Sequence, residues 1–218
     1  MAFAHPTKEH LCGYATGALS DGMSLLVAAH MTYCPDCRAQ VERLESLGGA
    51  LIAEDEAVGE IRPPSVDAAL AALDAPAPGD EVINDPGTPL PMPVRRVVGA
   101  RLDDLDWKFR LPGLSECDLD GFEDEHVSLL RVKPGTGIFH HTHEGEEATL
   151  ILSGEMQDGD KVYRRGDVAL ADQGRPHGHA SLPSARWPVR GAASSSGTTR
   201  ARISAAISST GLRASTTR

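Results

Sequence analysis

The sequence predicts an α + β chain in two units, all-α first and all-β second, and three observations carry that reading. Apolar residues recur at helical spacing from about residue 7 to residue 75, a proline-rich stretch from Pro76 to Pro93 breaks every regular pattern, and beyond about residue 97 the apolar runs shorten to strand length between glycines. With 218 residues and 40% hydrophobic content the chain has room and apolar mass for one large or two small domains. The expected boundaries are residues 1–75 for the helical unit, 76–96 for the linker, 97–177 for the β unit and 178–218 for a tail.

Thr7 to Gly17 reads as a first helix. Ser20 is placed to cap a second, whose Leu25, Leu26 and Ala29 share a face and which ends near His30. A third helix starts at Cys34 with Pro35 in the first helical position, where a missing N–H costs nothing, and Val41, Leu44, Leu47 and Leu51 extend an apolar stripe along it. Ser65 then caps a last helical signal carried by Val66, Leu70 and Leu73. The prolines that follow read as a semi-extended linker, so the two units are expected to be separable. Val127 to Val132, Ala148 to Leu152, Lys161 to Tyr163 and Val168 to Ala171 are strand-length runs, expected to form an antiparallel sandwich or barrel. The sequence has no internal repeat.

The most informative segment is His30-x3-Cys34-x2-Cys37. Residues three apart on a helix are neighbours, so both thiolates can face one ion while His30 reaches it from the end of the preceding helix. Three such ligands leave one tetrahedral position for zinc, with His5, His10 and Cys12 as candidates, of which we take His5. The competing reading, a redox dithiol, belongs after a strand in a βαβ unit, whereas this pair lies between helices.

A second constellation, Gly135-x5-His141-x-His143-x3-Glu147-x6-Gly154 followed by Gly166-x5-Asp172-x-Gly174-x2-His177, stands in the β region and matches the spacing of cupin motifs, hence a jelly-roll barrel. His141 and His143, two apart on a strand, face the same side, and Glu147 and His177 complete a set suited to Zn, Mn, Fe, Ni or Co. The plainer alternatives are a cupin fold without an ion and a histidine cluster on a surface strand. His140 and His179 fall outside the motif spacing.

Composition narrows the setting. No stretch approaches the ~20 apolar residues needed to cross a bilayer, and the N-terminus does not read as a signal peptide. Four cysteines are too few for a disulfide framework, so Cys12 and Cys117 are expected to be buried structural thiols in a reducing, cytoplasmic protein. Net charge is −10, all 31 acidic residues lie at or before Asp172, and such an acidic body repels nucleic acid and suits a basic protein partner. Neither a phosphate-binding glycine loop nor a Gly-x-Ser-x-Gly elbow occurs, so catalysis outside the metal constellations has no support.

With both constellations in hand, the chain resembles the ChrR family of zinc-binding anti-sigma factors. The resemblance rests on His5-Pro, Tyr14-Ala-x-Gly17, Met23-Ser-Leu-Leu-Val-Ala-Ala-His30, Cys34-x2-Cys37 and the cupin motifs, and it spans residues 1 to about 177. It implies an N-terminal zinc domain that binds an extracytoplasmic-function sigma factor, and a cupin linked to release under oxidative signals such as singlet oxygen. Zinc ligands carried over from the family are His5, His30, Cys34 and Cys37. Those of the cupin metal, zinc or another divalent first-row ion, are His141, His143, Glu147 and His177. Neither an enzyme nor direct nucleic-acid or membrane binding is expected. The competing classes are a metal-dependent cupin enzyme such as an oxygenase, and a zinc-storage or redox-switch protein built on the two thiolates.

The tail departs from this pattern. Residues 173–218 hold no Asp, Glu or Lys but nine Ser, five Thr and seven Arg, with little strand-forming pattern. Such text reads either as a disordered basic tail or as out-of-frame translation of a GC-rich gene beginning soon after Pro176-His177. The second reading predicts strand-forming, cupin-like sequence in another frame of the gene beyond codon 177; sequencing the locus and finding none there would rule it out.

Overall fold

The computed structural model of the chain describes residues 4–54, 65–74, 87–122, 125–136, 147–171, 179–181 and 201–208. Helix α1 (Lys8–Thr16) opens on a reciprocal cap: the Thr7 hydroxyl accepts the His10 N–H at 3.2 Å while His10 Nδ1 accepts the Thr7 N–H at 3.3 Å. Gly17, at φ 70°, closes it in the left-handed conformation that a side chain disfavours. Helices α2 (Asp21–Met31) and α3 (Pro35–Glu54) follow, then α4 (Val66–Asp74), where the Ser65 hydroxyl caps the Ala68 N–H at 3.1 Å as its position in the sequence implies.

Ser20 takes the N-cap position of α2 but makes no capping bond of its own. Its hydroxyl donates to the Glu125 carboxylate, and that carboxylate accepts the Gly22 N–H at 2.7 Å. The cap is therefore supplied by a residue more than a hundred positions away. A carboxylate there also complements the positive end of the helix.

The linker expectation is corrected at its C-terminal end. Helix α5 (Met92–Val98) forms within it, because Pro91 sits at the N-cap and Pro93 in the first turn, where a missing N–H is harmless. Leu90 and Val94 are buried, the Arg95 Nε–H donates to the Leu90 carbonyl at 2.8 Å, and the Tyr33 hydroxyl donates to the Pro89 carbonyl at 3.1 Å. Residues 76–86 lie outside the described residues.

The β unit begins after a short 3-10 turn at Leu102–Asp104 and contains β1 (Lys108–Leu111), β2 (Leu114–Asp118), β3 (Glu125–Val132), β4 (Glu147–Ser153), β5 (Glu155–Asp158), β6 (Lys161–Arg164), β7 (Val168–Ala171), β8 (His179–Ser181) and β9 (Ala201–Ser208). Among the described residues they form two open sheets, ordered β1-β2-β3-β9-β4-β7 and β6-β5-β8, the layout of an incomplete cupin-type jelly roll. All pairings are antiparallel except those of β9, which runs parallel to both β3 and β4. The expectation of a strand-poor tail is thus corrected over residues 201–208. Ile203, Ala205 and Ile207 alternate with Arg202, Ser204, Ala206 and Ser208, a two-residue period short enough to escape notice within a Ser/Thr/Arg-rich stretch.

The two units are not separable bodies. Leu26, Val27 and Ala29 of α2 belong to one continuous core with Leu129 of β3, Leu150 and Leu152 of β4, and Val94 of α5. Full burial of Leu26 and Val27 stabilises this contact by about 1.5–3 kcal/mol each. Cys117 is buried on β2 as expected. Cys12 is exposed, contrary to expectation, since α1 turns Leu11 into the core and the next residue lies about 100° around the helix, towards solvent.

Glu125→Ala removes the cap of α2 and a bond joining the units. It should lower global stability by about 1–2 kcal/mol, read as a shift of the urea midpoint without change of slope.

Candidate metal centre

The short connections between helices bring four side chains to one point. His5 precedes α1, His30 lies in the last turn of α2, Cys34 immediately precedes α3, and Cys37 sits in the first turn of α3. Pro35 starts α3 without losing a hydrogen bond, and the turn between helices is tied by N–H groups of Tyr33 and Cys34 that both donate to the His30 carbonyl, at 2.9 and 3.1 Å. In place of an oxygen cap, the Cys34 Sγ accepts the Cys37 N–H at 3.4 Å.

The potential ligand atoms of His5, His30, Cys34 and Cys37 all lie within 4.8 Å of one another. Three separations bear on the choice of ion: His30 Nε2 to Cys37 Sγ, Cys34 Sγ to His5 Nδ1, and Cys37 Sγ to His5 Nδ1, each 3.4 Å. A tetrahedral ion with metal–sulfur bonds of about 2.3 Å and metal–nitrogen bonds of about 2.0–2.1 Å places neighbouring S and N ligands about 3.5 Å apart. The four residues therefore fit a closed tetrahedral His2Cys2 site. The His5 and His30 rings meet edge to face at 90°, with centroids 5.6 Å apart.

Burial sets the protonation of the site in the absence of an ion. His30, Cys34 and Cys37 are buried and His5 is exposed. Burial lowers the His30 pKa and keeps the imidazole neutral, outweighing its bond to the Gly166 carbonyl, which acts in the opposite sense. Burial, followed by the neighbouring Cys34 sulfur, pushes the Cys37 thiol up to about 12. Burial thus disfavours the Cys37 thiolate unless a positive ion is beside it.

His30 is oriented from the β unit. Its Nδ1 lies 2.7 Å from the carbonyl oxygen of Gly166, in the turn between β6 and β7. With Nδ1–H donating there, the tautomer leaves the Nε2 lone pair facing the cluster. Beside it the Ala4 N–H donates to Asp167 Oδ1 at 3.1 Å and the Val168 N–H donates to the Ala4 carbonyl at 2.9 Å, which fixes the residue before His5. Gly166 stands in the quoted cupin motif. Asp167, a buried acid directly after it, was not singled out from the sequence, and only its place beside that glycine could have drawn attention to it.

Of the other candidate ligands, His10 is engaged in the α1 cap and Cys12 faces solvent, which removes both from the cluster. Glu147 is buried at the start of β4 in register with Ala171 of β7. The positions of His141, His143 and His177 lie outside the described residues. A second group, Glu116, Asp118 and His126, lies together across β2 and β3. There the Arg110 Nε–H donates to Glu116 at 2.7 Å and Lys108 Nζ to Asp118 at 2.9 Å, and the latter contact holds the Asp118 pKa below its ordinary value. The charges of both carboxylates are thus compensated by side chains of β1.

Fold and site together define a helical unit with a His2Cys2 cluster, docked on a cupin-type sheet. The family model of the ChrR cupin-like domain matches residues 95–186. The chain is 33% identical over 177 residues to the anti-sigma-E factor ChrR of Cereibacter sphaeroides, covering 79% of this chain and 81% of the relative. Among solved structures it aligns with the crystal structure of Rhodobacter sphaeroides SigE in complex with the anti-sigma ChrR at a TM-score of 0.70 and 31% identity, over 83% of this chain and 93% of that one. The protein therefore belongs to the ChrR family of anti-sigma factors, a family of regulators and not of enzymes.

Because the buried Cys37 thiol must lose its proton to bind a cation, protons compete with metal. The apparent zinc affinity of the full chain should rise by about tenfold or more per unit between about pH 6 and about pH 8, with proton release detectable as a buffer-dependent heat of binding. A flat affinity across that range would contradict thiolate ligation.

Proposed function

We propose that the protein is a cytoplasmic anti-sigma factor whose helical unit, clasped by zinc at His5, His30, Cys34 and Cys37, binds an extracytoplasmic-function sigma factor and keeps it from RNA polymerase. The observation that carries this reading is the row of uncovered apolar side chains on the far half of α3 and on α4. On α3, Leu51 is 61% exposed and Ile52 62%; on α4, Val66 is 74% and Leu73 81% exposed. Val41 and Leu44, earlier on the same α3 stripe, pack into the core, so the stripe continues past the body that it serves. Large apolar side chains left to solvent at helical spacing are what a helical partner covers. The likeness to a ChrR solved in complex with SigE supports a sigma factor as that partner.

Zinc supplies a tetrahedral centre that joins the start of α1, the end of α2 and the start of α3. Apolar burial alone is marginal in so small a helical unit, and structural zinc contributes about 10 kcal/mol or more of apparent binding energy in comparable units. The β unit serves as the sensing half. His141, His143, Glu147 and His177 would hold zinc or another divalent first-row ion there, and an oxidative signal of the singlet-oxygen type would release the sigma factor through it. Among the described residues no helix is long and apolar enough to cross a membrane.

Co-expression with the sigma factors of the source organism, followed by affinity capture and mass spectrometry, tests the reading. The parent chain should retain one sigma factor in about equimolar amount. Leu51→Asp with Leu73→Asp should reduce capture by about a hundredfold through loss of apolar contact, and Cys37→Ser should abolish it by unfolding the helical unit. Undiminished capture by Cys37→Ser would refute the role of the cluster.

A further inference from the structure

We propose that the β6–β7 turn of the cupin-type unit forms the outer shell of the His2Cys2 cluster, with Asp167 as its positioning residue, so that the grip on the metal is set by the β unit. The inference rests on the reading that the cluster binds a metal. It goes further by assigning a role to a carboxylate that is no ligand.

Two of the four cluster residues are held by this one turn. The Gly166 carbonyl takes His30 Nδ1 at 2.7 Å, and the Asp167 carboxylate takes the Ala4 N–H at 3.1 Å, one residue before His5. The Val168 N–H closes a second bond to the Ala4 carbonyl at 2.9 Å, so Ala4 is tied to the turn and to the start of β7. Cys34 and Cys37 need no such help because α3 itself spaces them. The two histidines come from a chain terminus and a helix end, and without the turn each ring keeps its torsional freedom.

The turn is built to hold its place. Asp167 Oδ2 accepts the Arg164 N–H at 2.7 Å, the Asp167 N–H donates to the Arg164 carbonyl at 2.8 Å, the Gly166 N–H donates to the Ile151 carbonyl at 2.8 Å, and the Ile151 N–H donates to the Asp167 carbonyl at 3.0 Å. The turn is thereby fastened to β4, the strand that opens with the buried Glu147. Asp167 is itself buried, and its two carboxylate oxygens divide their work, one to the turn and one to the arm carrying His5. Outer partners of this kind fix the orientation of imidazole ligands, and their removal typically weakens metal binding by about 10–100-fold.

Cobalt(II) binding by the full chain tests the assignment, read through the thiolate-to-cobalt charge-transfer band, the visible d–d bands and the rate of metal loss to a chelator. Asp167→Ala should lower affinity by about 10–100-fold and weaken the d–d absorption as His5 becomes a poorer ligand, with helical content unchanged. Ala4→Pro removes the donor to Asp167 from the other side and leaves the β unit intact, and it should weaken binding in the same way; it carries the test if Asp167→Ala does not fold. Val132→Ala, a truncation of a buried β3 side chain outside the core shared with α2, should leave affinity and spectrum as in the parent. Parent-like affinity and bands in both Asp167→Ala and Ala4→Pro would overturn the inference, as would an equal loss in Val132→Ala. Absence of the charge-transfer band in the parent chain would instead sink the metal reading itself.

Discussion

The position of the His30 ring is the constraint on which the rest of the structure depends. One nitrogen lies 3.4 Å from Cys37 in the helical cluster and the other 2.7 Å from the Gly166 carbonyl in the β unit. A buried imidazole has only two polar atoms, and both are committed, so the ring can neither turn nor shift without breaking one side. Around that axis the apolar face of α2 settles on β3 and β4, and Glu125 reaches back to the start of the same helix. The helix is thus pinned at both ends by the sheet it lies on, with a carboxylate at its N-terminus and a carbonyl at its last turn.

This arrangement separates two kinds of apolar surface. The surface facing the sheet is consumed in holding the molecule together, whereas that on the far half of α3 and on α4 has no such use within the chain. Burial of both would have produced a compact two-layer body with nothing left to offer a partner. The division falls within one helix, between Leu44, packed on the core, and Leu47, more than half exposed.

Much of this is legible in the sequence because the signals are local. The spacing of His30, Cys34 and Cys37, the proline in the first position of α3 and the apolar periodicity all act within a turn or two of helix, and the structure assembles those residues as the spacing implies. Choosing His5 over His10 follows from the fold, since Thr7 and His10 cap α1 reciprocally, and a histidine in place of the usual Glu or Gln hides that cap from the sequence. What escaped the sequence is non-local. Ser20 looks like a cap, and nothing near it announces that Glu125 takes over the task. The proline-rich stretch hides α5 because prolines at a helix start look the same as prolines in an extended linker. Asp167 gives no sign of its two-sided role, because its partner Ala4 is an alanine that contributes only its backbone.

The place of β9 bears on the order in which the molecule can be made. Its eight residues come from the last eighteen of the chain, yet they lie between β3 and β4 in the middle of the larger sheet. During synthesis these two strands must wait, each with an open edge, until residue 208 has left the ribosome, and α2, whose apolar face packs on β3 and β4 and whose first turn is capped by Glu125, waits with them. The four cluster residues all lie within the first 37 positions, so they are made long before Gly166 and Asp167, the residues that orient His30 and fix Ala4. An ion that met the chain in that interval would find histidines with no outer partner yet in place.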